Sequence, residues 1–210
     1  MADIWRFLLA AVTAYLVGSL NGSLLLSRAF LRDDIRRHGS GNAGATNVLR
    51  TYGVKWTVLV SLWDVGKGVL AVWLGQWILP GYGFSSFTRS AVLLAGFCVI
   101  AGHVFPVFFG FKGGKGVITA CAVFFTLDWQ VALISFGVFL LLLLLTRFLS
   151  LGSVAAVFTL PILGALFGRE WLEIGMYGAV GVLIIILHRE NIKRLLRGTE
   201  NRFPKNKTPA

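Results

Sequence analysis

Long apolar runs alternate with short polar segments rich in glycine and charge along this chain. Cut at the charges and at the Gly/Pro clusters, the runs fall near residues 4–26, 56–79, 90–109, 117–146, 151–167 and 171–187. Most are close to the roughly 17–20 residues that a helix needs to cross a bilayer. The run 117–146 is too long for one crossing: its 30 residues would extend about 45 Å through a hydrocarbon core of roughly 30 Å. Asp128-Trp129-Gln130 interrupts it and predicts two helices, 117–127 and 130–146. The first reaches only half way, which is tolerated if it packs inside the protein and away from lipid. The expectation is an all-α, polytopic integral membrane protein with seven transmembrane segments and one domain over residues 1–210.

The basic residues orient these segments. With seven spans and the N-terminus outside, 16 of the 20 Lys and Arg residues fall on the inner side. They lie in residues 27–55, 110–116, 147–150 and 188–210. Arg6, Arg89 and Arg169 stay outside and Lys67 lies within a span. This bias places the C-terminus in the cytoplasm. A cleaved signal peptide over residues 1–23 fits less well, because Asp3 balances Arg6 and the basic cluster follows the apolar run. Phe203–Ala210 reads as the one disordered piece.

Composition agrees. Of the 210 residues, 56% are hydrophobic and 14% charged, with mean hydropathy +0.77; a soluble domain carries about 25% charge. A soluble enzyme is excluded. The net charge of +11 would point to nucleic acid in a soluble protein, but here it sits between and after the spans, where anionic head groups or substrates meet it. Cys98 and Cys121 lie in apolar stretches and read as small buried hydrophobes.

Three polar segments carry the candidate chemistry, and the seven-span topology puts all of them on the cytoplasmic side. In residues 39–50, Gly39, Gly41 and Gly44 allow a backbone nest of N–H groups for an anion. Ser40, Asn42, Thr46 and Asn47 add neutral donors, Arg50 a guanidinium suited to phosphate, and Ala43 lies among them. The match to G-x-G-x-x-G does not make this a dinucleotide site, because no strand precedes it.

In residues 102–117, Pro106 should end the third helix. Gly113, Gly114 and Gly116 lead into a helix start whose N–H groups attract anions, beside Lys115. The stretch is not a Walker A loop, which would need Gly at 109 and Ser or Thr at 116. His103 alone reads as a hydrogen-bonding residue at a helix end.

Residues 188–200, if helical, put His188 and Asn191 on one face and Ile192, Leu195 and Leu196 on an apolar stripe, with Glu200 at the end. Asp64 and Lys67, three apart within the second span, should pair or line a wet cavity. Gly18/Gly22 and Gly164/Gly168 have the spacing of close helix packing.

Taken together, GSGNAGATN…R (39–50), DVGKG (64–68), GHVFPVFFGFKGGKGV (102–117) and HRENIKRLLRGTE (188–200) resemble the bacterial membrane glycerol-3-phosphate acyltransferases that use acyl phosphate, the PlsY family. The resemblance spans the whole chain. It implies transfer of a fatty acyl group from acyl phosphate to the 1-hydroxyl of sn-glycerol 3-phosphate, giving lysophosphatidic acid and phosphate at the bacterial inner membrane. It implies that Ser40, Arg50, Lys115, His188 and Asn191 hold glycerol 3-phosphate. Gly41, Asn42, Ala43, Gly44, Thr46, Asn47, Gly113 and Gly114 would hold acyl phosphate, with His103, Asp64, Lys67 and Glu200 in support. No cofactor, metal or nucleic acid is implied; the partners are the two substrates and membrane lipids, and a monomer is the expected state.

A transporter of a phosphorylated or lipid anion is the rival reading. It should show inverted repeats and a site at midplane, and neither is legible. Other membrane lipid enzymes lack support: no His is followed by Asp at the H-x4-D spacing, and the paired-aspartate signature of CDP-alcohol transferases is missing.

Overall fold

A computed structural model describes residues 2–78 and 86–203; residues 79–85 and the expected disordered piece from 204 onward lie outside the described residues. Phe203 is tied down, its amide donating to the Arg147 carbonyl at 2.7 Å. Among the described residues every regular element is helical. The elements are α1 (Ala2–Ser19), α2 (Gly22–Ala29), α3 (Ala45–Tyr52), α4 (Val54–Ile78), α5 (Ser86–Val104), α6 (Val117–Leu127), α7 (Trp129–Thr146), α8 (Leu149–Leu166), α9 (Trp171–Leu187) and α10 (Arg189–Leu196). Single 3-10 turns occur at Ile35–Arg37 and Val107–Phe109.

The chain forms two compact units, Met1–Leu127 and Asp128–Ala210. In the first, α1 packs along α5 and α4, α4 along α5 and α6, and α3 lies on α4. The short α6 buries Thr119, Ala120, Ala122, Val123 and Phe124 within this unit. That burial suits a helix of 11 residues, too short to span hydrocarbon. In the second unit α8 packs against both α7 and α9, and α10 touches α8 and α9. Asp128 divides the long apolar run because its side chain caps α7, accepting the Val131 N–H.

Four helical segments are long and apolar enough to cross a membrane, and two bent pairs raise the number to six. The first bent pair corrects the expected continuous span 4–26. α1 stops at Ser19 and α2 leaves at 46°, because Asn21 takes the N-cap position and its Oδ1 accepts the Leu24 N–H at 3.2 Å. The expected Gly18/Gly22 stripe is therefore split. Gly18 abuts the Val99 backbone, while Gly22 opens α2 against Trp63 and Asp64. Gly164 likewise packs on Tyr177, whereas Gly168 has φ +65° and ends α8's connection rather than continuing its face.

Candidate active site

In the first unit, the segment 39–50 is a folded loop that runs into α3. Gly39 and Gly41 adopt φ +56° and +70°, a region that L side chains avoid. Between them the Ser40 amide donates to Asn47 Oδ1 at 3.0 Å. Asn47 is buried beneath the loop, and its NH2 donates to the Ile35 and His38 carbonyls at 3.1 and 2.9 Å. Asn47 thus spends its donors on the loop. Gly44 gives α3 no side-chain cap; the Asn47 amide turns back to the Gly44 carbonyl at 2.9 Å, which leaves the Ala45 and Thr46 amides at the helix start to meet an anion. Thr46 and Arg50, one turn apart and both exposed, share the face beside them.

The segment 102–117 closes against this loop. α5 ends at Val104, before Pro106, and the chain returns so that Gly113 and Gly114 amides donate to the Val104 and His103 carbonyls at 3.0 and 3.2 Å. Gly114 sits between the His103 ring and the Ala43 carbonyl, and a Cβ there would collide with both. Lys115 follows, half-buried.

Two residues that the sequence reading did not single out join the loops. Asn21, fully buried, donates to the Ala43 and His103 carbonyls, each at 3.3 Å. Arg36 reaches the Phe109 and Lys112 carbonyls at 2.9 and 3.1 Å, while its other nitrogens hold Asp34 at 2.7–2.9 Å. The Arg36 guanidinium, aided by Arg28, holds the Asp34 carboxyl far below the usual carboxylate range despite partial burial. Alongside, Tyr52 donates to Asp33 at 2.8 Å. Burial and that carboxylate push the phenol up to about 12.

Beneath the loops a buried polar network links four helices. Lys67 Nζ lies 2.8 Å from Asp64 Oδ1, 2.8 Å from His103 Nδ1 and 3.2 Å from the Gly18 carbonyl. Asp64 also accepts the Gly22 N–H at 3.4 Å. The His103 Nδ1 also lies 3.4 Å from Asp64 Oδ1 and 3.4 Å from Thr119 Oγ1. The Asp64, Lys67 and His103 side chains are nearly inaccessible. They brace the loops from below.

In the second unit α9 turns by 61° into α10, and His188 is the pivot. Its Nδ1 donates to the Ile184 carbonyl at 2.8 Å, which makes Nε2 the ring's acceptor. Glu200 accepts from Asn191 at 2.7 Å, from Ser150 at 2.9 Å and from Arg194 at 2.7 Å. Burial opposes the Glu200 charge, but these three donors outweigh it and hold the carboxyl below its ordinary value. Ser150 and Arg194 were not singled out by sequence either. Among the described residues no group of three or more His, Cys, Asp or Glu is arranged to hold a metal.

The chain resembles known proteins over nearly its full length. A family model described as Glycerol-3-phosphate acyltransferase matches residues 8–198. The Glycerol-3-phosphate acyltransferase of Ralstonia pickettii (strain 12J) is 38% identical, covering 100% of both chains. That of Geobacter sulfurreducens is 43% identical over 93% of this chain and 97% of its own. The crystal structure of PlsY, an integral membrane glycerol 3-phosphate acyltransferase in its glycerol 3-phosphate form, is 39% identical with a TM-score of 0.85 over 94% of this chain and 95% of that one. Its lysophosphatidic acid form gives 38% and 0.82 over 95% and 96%.

Proposed function

This chain belongs to the glycerol-3-phosphate acyltransferase family, and on that footing we propose that it moves the acyl group of an acyl phosphate onto the 1-hydroxyl of sn-glycerol 3-phosphate. It is an integral membrane acyltransferase of phospholipid synthesis, with glycerol 3-phosphate as acceptor and lysophosphatidic acid as product. The transporter reading falls with the family assignment.

One observation supports the finer reading most: the uncapped start of α3 beside Ser40, Thr46 and Arg50, held against the Gly113–Lys115 turn by Asn21 and Arg36. Backbone amides and cations set rigidly together suit phosphate oxygens. Ser40, Arg50 and Lys115 hold the acceptor's phosphate, and His188 and Asn191 its hydroxyls. The backbone of Asn42–Thr46, with the Asn42 and Thr46 side chains, takes the donor's phosphate, while Gly41, Gly113 and Gly114, whose own amides donate to the His38, Val104 and His103 carbonyls, shape the loops around it. Asn47 and Ala43 act on the donor through the loop they support.

The 1-hydroxyl oxygen attacks the acyl carbonyl carbon, the carbon–oxygen bond to phosphate breaks, and phosphate leaves with the electron pair. The hydroxyl proton goes to the departing phosphate or to His188 Nε2. An acyl phosphate is already activated, so orientation and charge stabilisation suffice. Residues 1–210 act as one catalytic chain in the bacterial inner membrane, with seven segments and the three polar segments facing the cytoplasm.

Kinetics on the purified protein test these roles. Lys115→Ala and Arg50→Ala should each raise KM for glycerol 3-phosphate about tenfold, the loss of one charge-assisted contact. Unchanged KM in both would remove these residues from the acceptor site. His188→Ala with near-normal kcat and raised KM assigns the proton to the phosphate; a collapsed kcat with an altered pH–rate profile assigns it to His188.

A further inference from the structure

Beside the catalytic loop, the first unit has an open cavity of about 680 Å³, and none of its charged side chains is assigned to either substrate above. Four cations, Arg28, Arg36, Arg37 and Lys112, line it with a single carboxylate, Asp34. Asp34 is shared by Arg28 at 3.0 Å and Arg36 at 2.7 Å. No carboxylate among the described residues pairs with Arg37 or Lys112. Arg28 also lies over the Phe109 ring, 5.2 Å from its centroid, which holds that guanidinium at the cavity wall.

The lining therefore keeps an excess of positive charge. Arg36 is held in this wall without a ligand, by its bonds to the Phe109 and Lys112 carbonyls. The cavity shares Gly41 with the 39–50 segment and Phe109, Gly110, Lys112 and Gly113 with the 102–117 segment. Ser40, Arg50 and Lys115 are not part of its wall.

We propose that this cavity is a second site for a phosphate monoester or inorganic phosphate, adjoining the catalytic loops and built by Arg28, Arg36, Arg37 and Lys112. A dianion matches the uncompensated charge, and guanidinium forks match its oxygens. The volume lies in the range of small-molecule sites and leaves room for an organic group on the phosphate. Two sources share this chemistry: free phosphate, and the head group of lysophosphatidic acid. The site's existence is independent of the donor assigned above. Its service to the reaction, as the place where a phosphate product waits before leaving, rests on that assignment.

Equilibrium dialysis of radiolabelled inorganic phosphate against the detergent-solubilised full chain tests the proposal, with saturating glycerol 3-phosphate filling the acceptor position. The wild type should bind phosphate under these conditions. Arg37→Ala/Lys112→Ala should weaken that binding about tenfold or more, with turnover in the absence of added phosphate held within about twofold, as for exposed residues outside the machinery. The single variant Arg37→Gln should give a smaller loss in the same direction and serves if the double variant does not fold. No phosphate binding by the wild type, or equal affinity in the variants, would overturn the site. Displacement of the label by short-chain lysophosphatidic acid but not by the matching monoacylglycerol would identify the head group as a ligand; no displacement would restrict the site to free phosphate. A failed acyl-phosphate assignment would show as absent turnover with phosphate binding intact.

Discussion

Asn47 illustrates how a residue can belong to the proposed phosphate loop while its own side chain serves the loop. Its amide satisfies the Ser40 N–H and two carbonyls, all beneath the loop. Asn47→Ala should therefore lower stability by about 1–3 kcal/mol, the range for buried groups left unsatisfied. It should also raise the KM of both substrates, as read by thermal unfolding in detergent and by steady-state kinetics. Unaltered stability would contradict its place under the loop. Gly114→Ala should be as harmful for a different reason, since a methyl there has no space between His103 and Ala43; overpacking of this kind costs about 1–3 kcal/mol. The glycines of the 39–50 segment made a tight loop legible in the sequence, and Gly39 and Gly41 do adopt positive φ. The clasp was not legible. Arg36 was counted among charges that orient the chain, and nothing in its neighbourhood reveals that its guanidinium ends on carbonyls 73 and 76 positions away.

At the scale of elements, breaks announced by chemistry were readable and breaks made by a single amide were not. Asp128 caps a helix and Pro106 follows the end of one, and both punctuate the sequence. Asn21 sits in a run whose average hydropathy stays high, so the bend between α1 and α2 emerges only when its cap to Leu24 and its bonds to Ala43 and His103 are in place. The Asp64–Lys67 pair was visible from its spacing, but its third partner, His103, was not. Asp64→Asn should destabilise the first unit by about 3–5 kcal/mol, because it strands a buried ammonium; a thermal unfolding shift of only a degree or two would contradict the network. The C-terminal element has its own signature in acid. The Glu200 carboxyl is held below its unfolded value, near 4.3, so its contribution is present above that pH and lost as pH falls through the lower folded value. Thermal stability should stay level from about pH 8 to 6 and decline below about pH 4.5. Glu200→Gln should be less stable at neutral pH and lack that part of the decline.

At the scale of the whole molecule, the charge distribution and the apolar runs carry a claim about sidedness. The described helices supply four crossings, or six with the bent pairs; the proposed topology counts the short, buried α6 as a seventh segment, the odd number that the basic residues favour. A fluorescent reporter on the C-terminus should light up in the cytoplasm, and a periplasm-dependent phosphatase on the N-terminus should be active; the reverse pattern would contradict the topology. Family membership was legible because four motifs, three polar segments and DVGKG within the second span, stand together in this order. The proposed second anion cavity was not, because it joins Arg28, Arg36 and Arg37 to Lys112 in a distant segment. The most direct test of the account is a release assay on the purified chain, with palmitoyl phosphate and glycerol 3-phosphate each added or withheld. Lysophosphatidic acid and inorganic phosphate should appear in equal amounts, and only when both substrates are present. Product formed from acyl-CoA but not from palmitoyl phosphate would contradict the proposed donor, and no product from either would contradict the enzyme itself.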